Sequence, residues 1–149
     1  MREITGDLWD HYGAENTIVL ITTNGYVKQN GEAVMGRGCA KEAKDRFLGI
    51  AIELGRMISL NGNKPHYITT PLWQMATFPV KYAWYEKASL KLIGQSAAWL
   101  KKEAEYKTEI TFVLPRPGCG NGGLLWREVR PLLENLPDNV WVISRTGEI

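Results

Sequence analysis

The chain has 149 residues, 44% of them hydrophobic, with 18 basic and 16 acidic side chains giving a net charge of +2. That length suits a single domain spanning 1–149, able to bury roughly two-thirds of its unfolded surface. The near-balanced charge excludes the footprint of tight, non-specific nucleic-acid binding, and no apolar run approaches the roughly eighteen residues of a membrane span.

In chain order, Thr17 to Thr23 is β-branched and predicts a strand, closed by Asn24-Gly25. Tyr26 to Ala33 lengthens the following loop and is expected to hold Lys28 or Glu32 over a cleft as a lid, with Asn30-Gly31 marking a turn within it. Val34 to Ala40 carries Gly36 and Gly38 and leads into a helix over Cys39 to Phe47, followed after Gly49 by a second helix over Ile50 to Ser59. His66 to Pro71 and Trp73 to Val80 read as strands, and Ser89 to Tyr106 as a long helix with Leu90, Ile93, Ala97 and Leu100 on one face. Ile110 to Leu114 predicts a strand, Leu125 to Leu136 a helix and Val140 to Ser144 a last strand. Strands alternating with helices imply a layered α/β domain with a mixed sheet, whose ligands gather beyond the carboxyl ends of the strands.

Between the last two of those strands, Gly118, Gly120, Gly122 and Gly123 fall within six positions, after Pro115 and Pro117. Residues without Cβ let backbone N–H groups converge on an anion, and a helix start adds partial positive charge, so the stretch predicts a phosphate cradle. Gly118, Gly120 and Gly123 also fit G-x-G-x-x-G, but one helix and one strand finish the chain, and Ser144 and Arg145 stand where a dinucleotide fold needs an acid. No Gly-Lys-Ser/Thr follows, which excludes a P-loop. The Gly36–Gly38 loop supplies a second cradle, and two cradles fit a diphosphate. Asn24, a strand-end amide beside them, is placed to bond a ribose hydroxyl, with turn chemistry as the other explanation.

These segments in order, namely Gly6-Asp7-Leu8, Asn24, Met35 to Ala40, Phe78-Pro79-Val80-Lys81 with Trp84, and Pro115 to Trp126, resemble a macro domain over nearly the whole chain. The resemblance is greatest to the branch holding the terminal ADP-ribose glycohydrolases and the antitoxin enzymes that remove ADP-ribose from DNA, in which Phe-Pro-x-Lys and Gly-Cys-Gly-x-Gly-Gly-Leu-x-Trp recur. It implies a macro-type three-layer α/β/α fold with a central mixed sheet. It also implies that ADP-ribose, or an ADP-ribosylated DNA base or protein side chain, is the partner.

By the same resemblance Asp7 accepts the adenine amino group and the Leu8 amide contacts the ring, although Asp7 also reads as an N-cap. Asn24, which joins Lys81 as a catalytic residue, meets the distal ribose; Gly36, Arg37, Gly38 and Cys39 line one side of the ligand, and Pro117, Gly118, Cys119, Gly120, Asn121, Gly122, Gly123 and Leu124 the other. Lys81, one of ten lysines, takes the place of a lysine that acts on the anomeric carbon of the distal ribose, as nucleophile or as electrostatic partner of the opened sugar. One glycohydrolase group has an aspartate where this chain has Asn121-Gly122-Gly123, which makes the DNA-type branch the nearer analogue. The activity expected is ADP-ribosyl hydrolysis, with a non-catalytic reader and an ADP-ribose 1″-phosphate phosphatase as alternatives.

Other chemistry finds little support. His11 and His66 are isolated, and no metal site or cofactor is expected. Cys119 reads as a small residue packed between glycines rather than as a reactive thiol. Six tryptophans in so short a chain read mostly as core, so stacking on the ligand by Trp84 or Tyr82 carries little weight. With Cys39 and Cys119 the only cysteines and no apolar signal region after Met1-Arg2-Glu3, a cytoplasmic, membrane-free monomer is expected.

Overall fold

The computed structural model describes residues 1–71, 73–146 and 148. Six strands, β1 (Arg2–Thr5), β2 (Thr17–Asn24), β3 (Tyr67–Thr69), β4 (Gln74–Lys81), β5 (Thr111–Pro115) and β6 (Val140–Ser144), form one sheet in the order β1-β6-β5-β2-β4-β3. Every pairing is parallel except β3 with β4. This is the mixed sheet the alternation of elements predicts, with the antiparallel strand at an edge.

Alternation along the strands divides the core in two. Ile18 and Leu20 of β2, Phe78 of β4 and Phe112 and Leu114 of β5 pack on one face beneath α3 (Leu90–Tyr106). Val19 and Ile21, Met75, Val113 and Ile143 face the other way, toward α1 (Gly38–Arg46) and α2 (Ile50–Asn61). A strand buried on both faces shows no polar side, which is why β2 reads as a continuous β-branched run. The result is the three-layer α/β/α architecture.

Three expectations about elements are corrected. The helix expected over Leu125 to Leu136 is a four-residue α4 (Trp126–Val129) followed by a 3-10 turn over Arg130–Leu132. Pro131 lacks an N–H and crowds the residue before it, so regular α-helix stops there. In α3 the buried stripe is Leu92, Ile93, Ser96, Ala97, Leu100 and Ala104, while Leu90 is exposed. Ser89 caps that helix from outside, its Oγ accepting from the Leu92 N–H at 3.2 Å, and Leu90 sits in the first turn at the margin of the stripe.

The third correction concerns Tyr26 to Ala33, which is no lid. Val27 bridges Ala33, Lys28 N–H donates to Glu32 O at 2.8 Å, and the Lys28 and Glu32 side chains pair with each other at 3.7 Å. The resulting tight hairpin lies down on α2, where Ala33 N–H donates to Ala51 O at 2.9 Å. Gly55 makes that contact possible, since a Cβ there would stand 1.9 Å from Gly31 O. Ala normally favours a helix interior over Gly by about 1 kcal/mol. Gly55→Ala is expected to reverse that sign and cost about 1–3 kcal/mol through overpacking, a loss that thermal denaturation should register as a lower Tm.

Candidate functional site: a cleft across the strand carboxyl ends

Five parallel strands end on the same side, and the loops leaving them enclose a cleft of about 810 Å³. Gly6 enters it after β1, Asn24 and the 34–41 segment after β2, Lys81 and Trp84 after β4, Arg116 and Gly118 to Gly122 after β5, and Arg145 after β6. From β6 to β4 is three strand spacings, about 14 Å. The cleft is therefore elongated, with a Gly6–Leu8–Ile143 end and an Asn24–Lys81–Trp84 end. Five cations line it (Arg37, Lys41, Lys81, Arg116, Arg145) against two carboxylates (Glu42, Glu148), a balance that concentrates anions.

The two glycine loops meet in the middle. Gly38, with φ +59°, begins α1, and a Cβ on it would approach Asn121 Nδ2 at 3.6 Å. The first turn of α1 holds no acidic residue and Arg37 makes no side-chain cap, so the positive end of that helix opens on the cleft. On the opposite wall Gly120 to Gly122 form a single 3-10 turn. A long helix was expected to add its dipole after this loop, but α4 is one turn long, and the dipole comes from α1 instead.

The glycines divide by what a side chain would meet. At Gly36 and Gly120 a Cβ would touch nothing within 4 Å, so both present bare backbone to open space. Gly118 answers to packing, since its Cβ would come within 2.6 Å of Ile93 Cδ1. Gly123 turns toward the Lys87 methylenes at 3.5 Å.

Lys81 bridges the walls. Its Nζ donates to Asn121 O at 3.3 Å and to Trp84 O at 3.4 Å, which ties the end of β4 to the glycine turn. Burial pulls the Lys81 amine below the usual lysine range, and the neighbouring Arg37 guanidinium adds to that. A register shift between Thr23 and Asn24 sets Asn24 opposite Lys81 on the neighbouring strand. The Asn24 side chain holds the hairpin: Nδ2 donates to Val34 O at 3.0 Å and Oδ1 accepts from Tyr26 N–H at 2.9 Å. An amide has two N–H donors and two acceptor lone pairs, so one of each is left for a ligand.

Of the residues expected from sequence, Leu8, Asn24, Gly36, Arg37, Gly38, Cys39, Lys81, Gly118, Cys119, Gly120, Asn121 and Gly122 line the cleft. Asp7, Pro117, Gly123 and Leu124 are not among the lining residues. Asp7 caps the 3-10 turn over Leu8–His11 by accepting from Trp9 N–H at 2.9 Å, and Leu124 is buried against the core. Burial raises both thiols, Cys119 to about 11, and Cys39 Sγ packs 3.3 Å from the Thr22 N–H. Neither is a ready nucleophile at neutral pH. His11 stacks edge-on with Trp141 and His66 Nε2 contacts Gly62 O at 3.3 Å, both away from the lining. Among the described residues no cluster of potential metal ligands occurs, and no helix is long and apolar enough to cross a membrane.

Sequence reasoning missed the Arg145 end. Arg145 pairs with Glu42 of α1 at 2.9 Å, Glu42 also accepts from Trp9 Nε1 at 3.3 Å, and Glu148 accepts from the Arg145 N–H at 2.7 Å. A pair so far apart in the chain leaves no local signal. Trp84, given little weight from sequence, is exposed and lines the cleft rather than joining the core.

No protein-family model and no curated protein matches the sequence. Solved structures do. A Thermosipho africanus DarTG in complex with ADP-ribose superposes with a TM-score of 0.77 at 20% identity, covering 100% of this chain and 43% of the other. The chain has the macrodomain fold. The DarG macrodomain of Mycobacterium tuberculosis gives 0.75 at 23% identity over 99% of this chain and 97% of that one, and the DarG macrodomain of Thermus aquaticus 0.74 at 23% over 96% and 97%. The cleft of this chain lies beyond the carboxyl ends of the parallel strands, where an α/β fold places ligands.

Proposed function

We propose that the cleft binds ADP-ribose and that the protein hydrolyses it from a modified macromolecule, a DNA base or a protein side chain. The observation that carries the reading is the convergence of Gly36, Gly38 and Gly120 with the start of α1 midway along the cleft, with Lys81 at one end. Likeness to a DarTG solved with ADP-ribose supports it. The diphosphate then lies between the glycine loops, the adenosine toward Gly6, Leu8 and Ile143, and the distal ribose toward Asn24 and Lys81. No cofactor enters this scheme.

In the chemical step the Lys81 Nζ lone pair attacks C1 of the distal ribose. The bond from C1 to its carrier breaks with its electron pair, the carrier takes a proton from water, the hydroxide left takes one from the cationic adduct nitrogen, and a second water hydrolyses the adduct to free ADP-ribose and the Lys81 amine. The lowered pKa of Lys81 supports this role, because the neutral amine is the reactive form. The rate is therefore expected to rise with pH until Lys81 is deprotonated, with an apparent pKa below the ordinary 10.5 of lysine. A pH profile of kcat checks this. A rate that instead falls over that range assigns the ammonium an electrostatic role.

A second reading, a reader without turnover, draws on the two carbonyls that accept from Nζ, since both favour the ammonium. Incubation with ADP-ribosylated DNA, ADP-ribosylated protein and ADP-ribose 1″-phosphate side by side separates the possibilities. Release of ADP-ribose from either macromolecule is expected. Binding without release from any of the three would establish the reader, and release from the phosphate ester alone the phosphatase.

A further inference from the structure

At the Lys81 end the cleft opens onto a group of aromatic side chains that no core claims. Trp84 is 51% exposed, Tyr85 68% and Tyr26 42%. They are nonetheless ordered against one another: Trp84 and Tyr85 meet edge-to-face with centroids 5.4 Å apart, and Tyr85 and Tyr26 do the same at 6.5 Å. Edge-to-face contact fixes each ring and leaves π-surface facing water. The hairpin clamped on α2 holds Tyr26, and the Lys81 ammonium, 3.4 Å from Trp84 O, holds the other end.

Resting on the functional reading above, we propose that Tyr26, Trp84 and Tyr85 form a stacking platform for the unpaired bases flanking an ADP-ribosylated nucleotide in a single strand. Trp84 lines the cleft, whereas Tyr26 and Tyr85 lie beyond its lining, so the row leads outward from the reacting end. Flat, fixed aromatic faces suit bases of any sequence. Arg37 and Lys81 flank the start of the row, and of the carboxylates farther out, Glu32 pairs with Lys28 at 3.7 Å and Glu86 is followed by Lys87. A short platform of this kind adds local grip without the broad basic surface that the net charge of +2 excludes.

The test is equilibrium binding by fluorescence anisotropy and calorimetry with Lys81 in place, the ADP-ribose being joined to its carrier through a non-hydrolysable carbon link so that the ligand survives. Ligands are free ADP-ribose, a single-stranded oligonucleotide with one ADP-ribosylated base, the same strand unmodified, and an ADP-ribosylated peptide. The modified strand is expected to bind about tenfold more tightly than free ADP-ribose. Adding Tyr85→Ala or Tyr26→Ala should erase that advantage and leave free ADP-ribose within twofold. Equal affinity for modified strand and free ADP-ribose, or an advantage that survives both tyrosine substitutions, overturns the platform. An advantage shown by the peptide instead, and lost with the tyrosines, overturns the nucleic-acid assignment. If free ADP-ribose does not bind but the unmodified strand does, in a Tyr85-dependent way, the cleft reading fails and the platform stands.

Discussion

Lys81→Ala is expected to leave ADP-ribose affinity within a few-fold of wild type while lowering release of ADP-ribose from the competent substrate by at least about a hundredfold. A side chain acting at the anomeric carbon contributes mainly in the transition state, so its loss falls on turnover rather than on ground-state binding. The fold has little reason to suffer. The side chain is half-buried, and its two hydrogen bonds, to Asn121 O and Trp84 O, are long and go to carbonyls of exposed residues. Parallel calorimetry and single-turnover assays measure the two quantities. Wild-type turnover in the variant would remove Lys81 from the chemistry.

Gly36→Val should do the opposite, abolishing binding with the fold intact. Gly36 adopts no left-handed φ, and its added Cβ would meet nothing within 4 Å, so neither strain nor overpacking opposes the substitution. The branched side chain would instead fill the space beside the start of α1 where the backbone is bare. At least a hundredfold loss of ADP-ribose affinity is expected, about 2.8 kcal/mol, with an unchanged circular dichroism spectrum. Gly123→Glu makes the contrasting control. Gly123 points toward Lys87 rather than into the cleft, and its φ of +78° strains any side chain there, so the substitution is expected to lower stability, read as Tm, more than it lowers affinity.

The strands through the core were legible because burial on both faces writes itself as β-branched runs. Val140 to Ser144 coincides with β6, and Thr17 to Thr23 falls one residue short of β2. Glycine clusters at the strand ends gave the cleft for a similar reason, since only residues without Cβ serve where backbone must stay bare. What escaped was set by tertiary contact. Nothing local says that Tyr26 to Ala33 folds onto Gly55, or that Arg145 reaches Glu42. Pro131 carries a local signal against the helix expected over Leu125 to Leu136, and regular helix stops ahead of it. Composition gives Trp84 little weight because tryptophan is usually covered, whereas here the end of β4 holds it at the rim.

The claim that the two glycine loops act on one ligand is tested most directly by calorimetric titration of the wild-type protein with ADP-ribose and with AMP. On the proposed reading AMP would occupy only the Gly6–Leu8 end and one phosphate position, whereas ADP-ribose would extend the diphosphate between the loops and the second ribose toward Asn24 and Lys81. ADP-ribose is expected to bind at least tenfold more tightly, a difference of about 1.4 kcal/mol. Equal affinities would mean that the cleft does not hold the diphosphate and distal ribose, and would contradict the proposed function at its base.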